Sequence, residues 1–438
     1  MSTASTRVMK TAKVMVGNNM GADESATGGP RPGLQRVGRY DSAAMSDDRR
    51  LPANQPVLPP GDLQELISTS GIGRVHVLAW RDLDDTEAGG SELHAHEVLK
   101  RWSAAGLDVM LRTSAVPGRP ARVVRDGYQV VRSSGRYNVF PVSAIEELFH
   151  RHGRRDALVE IWNGVPFLTP IWGRGPRMVI QHHDHTAMWP LVLSPTPARL
   201  GSLLERRLAP PFYRSTPIVT LSSSSADGLV SGLGHRRSQV HVVEPGIDRR
   251  YEPLGTPEQP PLVLSVGRLM PSKRVDVLIR AFAEALRSVH GLRLEVIGEG
   301  PEEDSLRNLT TELDIAPAVS FRGRITDEAL LDAYRRATVI ASASISEGWG
   351  MTITEAAACA TPSVVSDIAG HRDAVVHGQS GLLTSGQSDL SAGLVEVAGN
   401  RDRRAELSAG ARSFAERFDW DRTAVEAFRV LASTVEYR

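Results

Sequence analysis

From residue 74 onward, short runs of apolar and β-branched residues alternate with stretches in which apolar residues recur every three or four positions. The first pattern is typical of buried strands and the second of amphipathic helices. In the first half of the chain it predicts strands at Val75–Trp80, Val109–Arg112, Ala157–Ile161, Met178–Gln181 and Ile218–Leu221, and helices clearest over Ser91–Ala105 and Arg199–Leu208. This alternation is typical of a parallel sheet covered by helices on both faces.

The alternation stops between Glu244 and Pro261, where five prolines and two glycines replace any apolar period. It then restarts with five predicted strands, at Leu262–Val266, Leu292–Ile297, Val319–Phe321, Val339–Ala341 and Ser363–Val365. Helices are predicted near Val275–Arg287, Glu302–Leu313, Asp327–Arg336 and Met351–Ala360. We therefore predict an α/β protein with two tandem doubly wound domains, residues 71–245 and 262–412, joined by a linker over 246–261.

Both ends of the chain differ from this core. Residues 1–70 mix Ser, Thr, Gly, Pro and Asn without a sustained period, so we predict a disordered N-terminal extension there. Met20 and Met45 lie inside it and are alternative starts of the protein. We expect residues 413–438 to form a C-terminal helix that packs back on the N-terminal domain.

Composition and charge narrow the function classes. The 51 basic residues are balanced by 51 acidic ones along the chain, so we expect no nucleic-acid binding. The single cysteine, Cys359, lies in an apolar run and fits a reducing cytoplasm. No apolar stretch approaches the roughly 18 to 20 residues of a membrane-spanning helix, and the N-terminus lacks the apolar core of a signal peptide. We expect a cytoplasmic protein without a transmembrane segment, for which peripheral contact with a membrane stays open.

The most specific segment runs from Ser346 to Glu355 and reads SEGWGMTITE. It joins a predicted strand to a predicted helix, whose free amides and positive dipole end favour a phosphate. Glu347 and Glu355 flank it, so both carboxylates can face one cleft, where sugar and ribose hydroxyls are suitable partners. A capped helix with solvated acids is the alternative interpretation.

This segment resembles the retaining glycosyltransferases of family 4, which have the GT-B architecture of two facing Rossmann-like domains. The resemblance extends from about Val75 to the C-terminus and is densest from Val263 to Leu383. It implies that Glu347 is catalytic and lies at the transferred sugar and that Glu355 holds the ribose hydroxyls. Further expected contacts are Gly348 and Trp349 with the donor sugar, and Gly350 and Met351 with the diphosphate.

A second matching segment is SVGRL from Ser265 to Leu269, with Lys273 beyond it. Two cations after a strand suit a leaving group that gains negative charge, although a solvated loop is the alternative. The resemblance implies that Arg268 and Lys273 clamp the donor diphosphate. Arg274 stands where the family usually has a glycine, which leaves the local backbone conformation open.

A third segment, EAGGSE from Glu87 to Glu92, follows the first strand and opens a helix. Two glycines permit close approach to a phosphate or an acceptor, and a plain tight turn is the alternative. The family places this loop across the cleft from the diphosphate, so Gly89 and Gly90 are expected contacts.

A fourth segment, QHHDH from Gln181 to His185, also follows a strand. Imidazole and carboxylate groups are zinc ligands, but residues so close in sequence rarely converge on one ion, so we predict no metal site. The family commonly has a histidine here, near the acceptor and the transferred sugar. His182 and His183 are both catalytic candidates, and His185 is the third.

Two other polar runs receive structural interpretations. Asp82-Leu83-Asp84-Asp85 looks like the metal-binding motif of the other major glycosyltransferase architecture, but tandem parallel-sheet domains argue against it, and we expect a solvated loop. Ser222 to Ser225 lie between a strand and a helix, where an N-cap is the simplest role.

The resemblance implies transfer of a hexose from a UDP-sugar or GDP-sugar to a hydroxyl of a small-molecule, glycan or lipid-linked acceptor, with retention and without a metal or other cofactor. The sequence leaves open the donor base, the sugar, the acceptor and the oligomeric state. The alternatives are an epimerase or sugar phosphorylase, and a catalytically silent homologue that binds nucleotide or acts as a scaffold. Glu347, Glu355, Arg268 and Lys273 together argue against the silent homologue.

Overall fold

The computed structural model describes residues 61–186, 189 and 194–435. The predicted extension up to residue 60 and the two alternative starts lie outside the described residues.

Strands and helices alternate along the first half of the described chain. The strands are β1 Arg74–Leu78, β2 Asp108–Thr113, β3 Arg122–Arg125, β4 Tyr128–Arg132, β5 Ala157–Ile161, β6 Arg177–Ile180, β7 Ile218–Thr220 and β8 Val240–Val242. The helices are α1 Gly61–Ser70, α2 Gly90–Ala104, α3 Val139–Leu148, α4 Thr169–Trp172, α5 Pro195–Leu203 and α6 Ser223–Leu233. A π-helical turn, Leu204–Leu208, and a 3₁₀ turn, Pro210–Tyr213, follow α5.

The same alternation builds the second half. Its strands are β9 Leu262–Val266, β10 Arg293–Ile297, β11 Val319–Gly323, β12 Val339–Ser342, β13 Ser363–Ser366 and β14 Gly381–Thr384. Its helices are α7 Val275–Ala285, α8 Glu303–Glu312, α9 Asp327–Arg336, α10 Met351–Ala358, α11 Ala369–Ala374, α12 Gln387–Gly399, α13 Arg401–Ala415 and α14 Trp420–Ser433.

Each half forms one sheet, and the predicted pair of doubly wound domains is confirmed. The N-terminal sheet has the order β3-β4-β2-β1-β5-β6-β7-β8 and is parallel except between β3 and β4. The C-terminal sheet is entirely parallel, with the order β11-β10-β9-β12-β13-β14. In the N-terminal sheet β2 lies on one side of β1 and β5 on the other, so the direction in which strands are added reverses at β1. The same reversal occurs at β9, which lies between β10 and β12. Ligands of such sheets bind outside the carboxyl ends of the strands at this point.

Four strands were not predicted: β3, β4, β8 and β14. They are only three to five residues long, and β3 is a half-exposed edge strand in which Val124 is 68% exposed. Strands this short carry a weak periodic signal because they hold too few residues to show an alternation.

The predicted disordered extension is wrong over its last ten residues, because Gly61–Ser70 forms α1. Leu63 and Ile67, one helical turn apart, are buried in the N-terminal core with Phe428 and Leu431 of α14. Two buried positions give only a weak helical pattern in the sequence. Their burial depends on α14, which packs over them. The N-terminal domain therefore begins at α1 and not at residue 71.

The chain crosses between the domains twice, and the two crossings lie side by side. α14 leaves the C-terminal domain and packs on α1 and α2, where the indole of Trp102 donates to the carbonyl of Ala424 at 2.9 Å. In the linker, a Cβ added to Gly246 would lie 2.1 Å from the backbone nitrogen of Trp420. This close approach requires glycine at residue 246.

Among the described helices, none combines the length and apolar character needed to cross a membrane.

Candidate active site

The carboxyl ends of β9 and β12 bring a lysine and a glutamate together. The Nζ atom of Lys273, in the loop after β9, lies 2.5 Å from Oε1 of Glu347, in the loop after β12. Burial alone would raise the pKa of Glu347, but the charges of Lys273 and His371 outweigh it and hold the pKa below its ordinary value. Glu347 is therefore an ionised carboxylate at neutral pH.

The loop that carries Glu347 also touches the N-terminal domain, at Gly348. Its carbonyl oxygen accepts hydrogen bonds from the hydroxyls of Ser222, at 3.2 Å, and Ser225, at 3.0 Å. A Cβ on Gly348 would lie 2.9 Å from the carbonyl oxygen of His182 and 3.0 Å from Nδ1 of His183. A larger residue would push the domains apart, so glycine is needed here for contact.

Two helix amino ends meet across the same cleft. A Cβ on Gly90, at the start of α2, would lie 3.2 Å from Sδ of Met351, at the start of α10. The residue before α10, Gly350, offers no side-chain cap to the first amides of the helix. Helix amino ends carry free N–H groups and about half a positive charge each, so an anion between α2 and α10 would be stabilised from both domains.

Arg268 lies on the same loop as Lys273. The side chain of Arg268 is exposed, and it forms no ion pair with any described residue. Arg268 is nonetheless partly desolvated, and this partial burial, followed by the charge of Arg81, lowers its pKa, while the carboxylates of Glu92, Glu87 and Glu347 act in the opposite direction. Arg268 thus faces both the Glu347 loop and the glycine loop of the N-terminal domain.

Glu355 lies within α10, eight residues after Glu347 in the chain. Its carboxyl group is buried and accepts a hydrogen bond from the hydroxyl of Tyr334 at 2.8 Å. Burial raises the pKa of Glu355 to about 7, although this hydrogen bond and the charge of Arg250 in the linker oppose the shift. Unlike Glu347, Glu355 is poised to gain or lose a proton near neutral pH.

The two candidate histidines point in different directions. The ring of His182 is buried and meets the ring of His94 on α2 edge-on, with centroids 5.1 Å apart. His183 borders Gly348 and stacks on His185 at 4.0 Å. Burial holds the pKa of both His182 and His183 well below the ordinary value, so both rings are neutral at pH 7. His183 is the histidine that lies beside the Glu347 loop.

Two models of known protein families match the chain. The model for Glycosyl transferases group 1 matches residues 247–414, and the model for Glycosyltransferase Family 4 matches residues 88–251. The chain belongs to the family 4 glycosyltransferases.

Curated relatives within this glycosyltransferase family match only part of the chain. The D-inositol 3-phosphate glycosyltransferase of Rhodococcus jostii is 34% identical over 246 residues, which are 51% of this chain and 54% of that protein. Its counterpart in Acidothermus cellulolyticus is 36% identical over 227 residues, or 47% of this chain and 50% of that protein. The chain thus spans about half the length of the curated relatives it matches.

Solved glycosyltransferase structures share the GT-B fold over a larger part of the chain. Sucrose-phosphate synthase from Thermosynechococcus elongatus has a TM-score of 0.71 at 17% identity and covers 83% of this chain and 100% of its own. Anabaena HepE in complex with UDP and glucose has a TM-score of 0.64 at 19% identity, covering 82% and 99%. At such identities the likeness concerns the fold.

The aspartate run after β1 is not the solvated loop that we expected. Asp82 is 2% exposed and paired with Arg132, whose Nε and Nη2 lie 2.7 and 3.0 Å from its two oxygens. Asp84 is paired with Arg125 at 2.7 Å, and Asp85 with Arg136. The charge partners come from β3, β4 and the loop before α3, 40 to 50 residues away, which the local sequence does not show. These ion pairs fix the loop that ends at Gly89 and Gly90.

Trp349 also differs from its expected role at the donor sugar. Its indole is 3% exposed and packs edge-on against Phe418 at 5.3 Å inside the C-terminal domain. Only the backbone of Trp349 is left to contact a ligand in the cleft.

Sequence reasoning missed one loop of the site, Gly298-Glu299-Gly300 after β10. Added Cβ atoms would lie 2.0 Å from the carbonyl oxygen of Gly267 at Gly298, and 2.3 Å from that of Leu269 at Gly300. The loop therefore stacks on the Arg268 loop, and the amide of Leu269 donates to the carbonyl of Glu299 at 2.9 Å. The available signal was two glycines directly after a predicted strand.

The four histidine and aspartate residues of the zinc interpretation do not converge. In the described part of the chain, no group of three or more histidine, cysteine, aspartate or glutamate residues is arranged to hold a metal ion.

Proposed function

We propose that this protein is a retaining glycosyltransferase that moves a hexose from a nucleoside diphosphate sugar to an acceptor hydroxyl without a metal ion. The proposal is carried by one observation: the amino ends of α2 and α10 face each other beside the Lys273–Glu347 pair. This arrangement combines fixed positive charge for a diphosphate with an ionised carboxylate.

The roles follow from the charges. As the bond to the sugar breaks, negative charge grows on the departing diphosphate, which Lys273, Arg268 and the two helix ends would stabilise. Positive charge grows on the sugar, which the carboxylate of Glu347 would stabilise. Gly89 and Gly90 let the N-terminal domain approach the diphosphate, and Glu355 would accept hydrogen bonds from the ribose. Closure of the domains at Gly348 would exclude water from the reacting sugar.

The comparisons suggest which substrates to test first. HepE was solved with UDP and with UDP-glucose, which supports a UDP-sugar donor ahead of a GDP-sugar. The curated relatives are named for D-inositol 3-phosphate, which supports a phosphorylated polyol as the first acceptor to try. The single buried cysteine fits a reaction in the cytoplasm.

The test uses the full chain with UDP-glucose, UDP-N-acetylglucosamine or GDP-mannose, and with D-inositol 3-phosphate as the first acceptor. Products are identified by mass spectrometry and their anomeric configuration by NMR. We expect a retained product that still forms in excess EDTA, and a rate lower by roughly a hundredfold or more with Glu347→Gln at the same enzyme concentration. An inverted product would contradict retention, and loss in EDTA restored by Mg²⁺ or Mn²⁺ would contradict the metal-independent mechanism.

The same assay separates the alternatives. Conversion of the donor without an acceptor would indicate an epimerase, and sugar release that requires inorganic phosphate would indicate a phosphorylase. Nucleotide binding without turnover on any acceptor would indicate a silent homologue.

A further inference from the structure

The exposed apolar side chains of this protein are concentrated on one surface. Of the twelve large hydrophobic residues that are exposed in the described part of the chain, nine lie between Tyr137 and Phe212. The described residues of the C-terminal domain from 262 onward contribute one, Ile345. Scattered apolar residues are normal on a protein surface, but such a concentration marks an interaction site.

These residues lie on one helical layer. α3, α4 and the turns that follow α5 contact one another in sequence and cover the same side of the N-terminal sheet. The largest exposed fractions belong to Tyr137 (74%) before α3, Phe149 (73%) after α3, Leu200 (63%) on α5 and Ile171 (56%) on α4. We call the outer surface of α3, α4, α5 and the turns to Tyr213, together with the loops that directly follow α3, α4 and Tyr213, the basic apolar face.

Arginines are interspersed with the apolar residues of this face. They are exposed, and none forms an ion pair with a described residue. The set includes Arg151, Arg154, Arg174, Arg206, Arg207 and Arg214.

The acids of these segments do not offset this charge. Glu147 and Glu205 are buried, and Glu146 is paired with the buried guanidinium of Arg112. Glu205 accepts hydrogen bonds from the backbone of His185, at 3.0 Å, and the indole of Trp189, at 2.8 Å. The face therefore presents unpaired positive charge together with exposed leucine and phenylalanine.

We propose that the basic apolar face docks the protein on an anionic lipid bilayer. Arginine guanidinium groups bind lipid phosphates, while leucine and phenylalanine side chains enter the boundary between headgroups and acyl chains. An acidic protein partner could pair with the arginines. It would not account for the apolar side chains, which are spread over several elements of the face. The docked face lies on the domain that carries His183. Glu205, in the turn after α5, accepts a hydrogen bond from the amide of His185, whose ring stacks on His183 in the cleft. Docking of the face would therefore hold the cleft near the membrane.

The test is cosedimentation of the full chain with vesicles of phosphatidylcholine alone or mixed with phosphatidylglycerol. We expect binding to the anionic vesicles only, and weaker binding as salt is raised, because ions screen exposed charges. Arg206→Glu with Arg207→Glu should weaken this binding by about tenfold or more. Leu200→Ser with Leu203→Ser should weaken it as well, with less effect on the salt dependence.

The matched controls lie on the C-terminal domain and in the linker. Arg280→Glu with Arg287→Glu reverses two exposed arginines near α7, and Leu254→Ser removes an exposed leucine. Both should bind vesicles as the parent protein does, and every variant should keep its nucleotide affinity and unfolding temperature.

No binding to anionic vesicles, or equal binding by the parent and both face variants, would overturn the proposal. Self-association that is lost with Leu200→Ser and Leu203→Ser, in the absence of vesicle binding, would assign the face to a second copy of the chain instead. These outcomes are independent of sugar transfer, so a failure here leaves the proposed reaction standing.

Discussion

At the scale of single residues, Glu347 and Glu355 show how two similar carboxyl groups acquire different properties. Glu347 faces the ammonium of Lys273, and its pKa is lowered. Glu355 is buried and, among the described residues, meets only the neutral hydroxyl of Tyr334 at hydrogen-bonding distance, and its pKa is raised to about 7. The lowered pKa suits Glu347 to act as a permanent negative charge. The raised pKa suits Glu355 to form hydrogen bonds whose strength depends on pH.

Glu347→Gln should lower kcat while nucleotide affinity changes little. The variant loses a charge contact that is strongest in the transition state, at a cost of about 2 to 4 kcal/mol or roughly a hundredfold or more in rate. Lys273 stays available for the diphosphate. Steady-state kinetics at saturating donor, combined with titration of the free nucleotide, measure both quantities. Loss of affinity with normal turnover would mean that Glu347 serves binding instead.

Glu355→Gln should weaken donor binding and leave kcat nearly unchanged, because a ribose contact is made in the ground state and the transition state alike. Since the carboxylate accepts ribose hydroxyls best, affinity for UDP in the parent protein should rise with pH through about 7. In the variant only the titration of the nucleotide itself should remain. An identical pH profile for the two proteins would remove Glu355 from the ribose site.

The same carboxyl group predicts how stability depends on pH. The pKa of Glu355 in the folded state, about 7, is above the ordinary glutamate value of 4.5, so the folded state holds an extra proton between these values. Stability from this group is present below pH 4.5 and is lost as pH rises through 7, by an amount on the order of 3 kcal/mol. Chemical denaturation at pH 5 and pH 8 should show a smaller difference for Glu355→Gln than for the parent protein. An equal difference in both proteins would show that Glu355 does not titrate in this range.

At the scale of elements, the amino end of α6 does more than start a helix. The hydroxyl of Ser222 accepts from the amide of Ser225 at 3.0 Å, which confirms the expected N-cap. Ser222 and Ser225 also donate to the carbonyl of Gly348, and Asp373 of α11 accepts from the amide of Ser224 at 3.3 Å. The serine run thus joins the N-terminal domain to the loop that carries Glu347.

Ser225→Ala should lower kcat by several-fold with little loss of stability, because it removes a contact with Gly348 and keeps the cap. Ser222→Ala should lower kcat and also destabilise the protein by about 1 kcal/mol, since the cap is lost as well. Ser223→Ala, which changes an exposed serine of the same turn, is the matched control. Kinetics and thermal unfolding of the three variants measure the effects. If Ser225→Ala and Ser223→Ala behaved alike, the contact with Gly348 would have no role in positioning Glu347.

At the scale of the whole molecule, both ends of the described chain complete the N-terminal domain. α1 supplies Leu63 and Ile67 to its core, and α14 returns from the C-terminal domain to cover them. The linker and the start of α14 touch at Gly246 and Trp420, so movement of one domain relative to the other must bend both crossings together.

Two truncations test this arrangement. Deletion of residues 1–60 removes none of the described core residues and should leave donor binding, turnover and unfolding temperature nearly unchanged. Deletion of residues 1–70 also removes the buried Leu63 and Ile67 and should destabilise the N-terminal domain by about 3 to 5 kcal/mol. Calorimetry and kinetics compare the two proteins. A large loss of activity in the shorter deletion would assign a role in the site to the first 60 residues.

Local sequence patterns were enough to predict the two doubly wound domains and the strand ends that carry Lys273, Glu347 and the glycine loops. These features are local, because a strand followed by glycines and a helix is encoded by about ten to fifteen consecutive residues. Long-range packing, in contrast, pairs Asp82 with Arg132, brings the ring of His183 and not the ring of His182 to the Glu347 loop, and places α1 in the core. Each of these depends on residues that are distant in sequence, from 50 between Asp82 and Arg132 to several hundred between α1 and α14. Burial and charge pairing are properties of the assembled neighbours, so the pKa values of Glu347 and Glu355 were also beyond any local pattern.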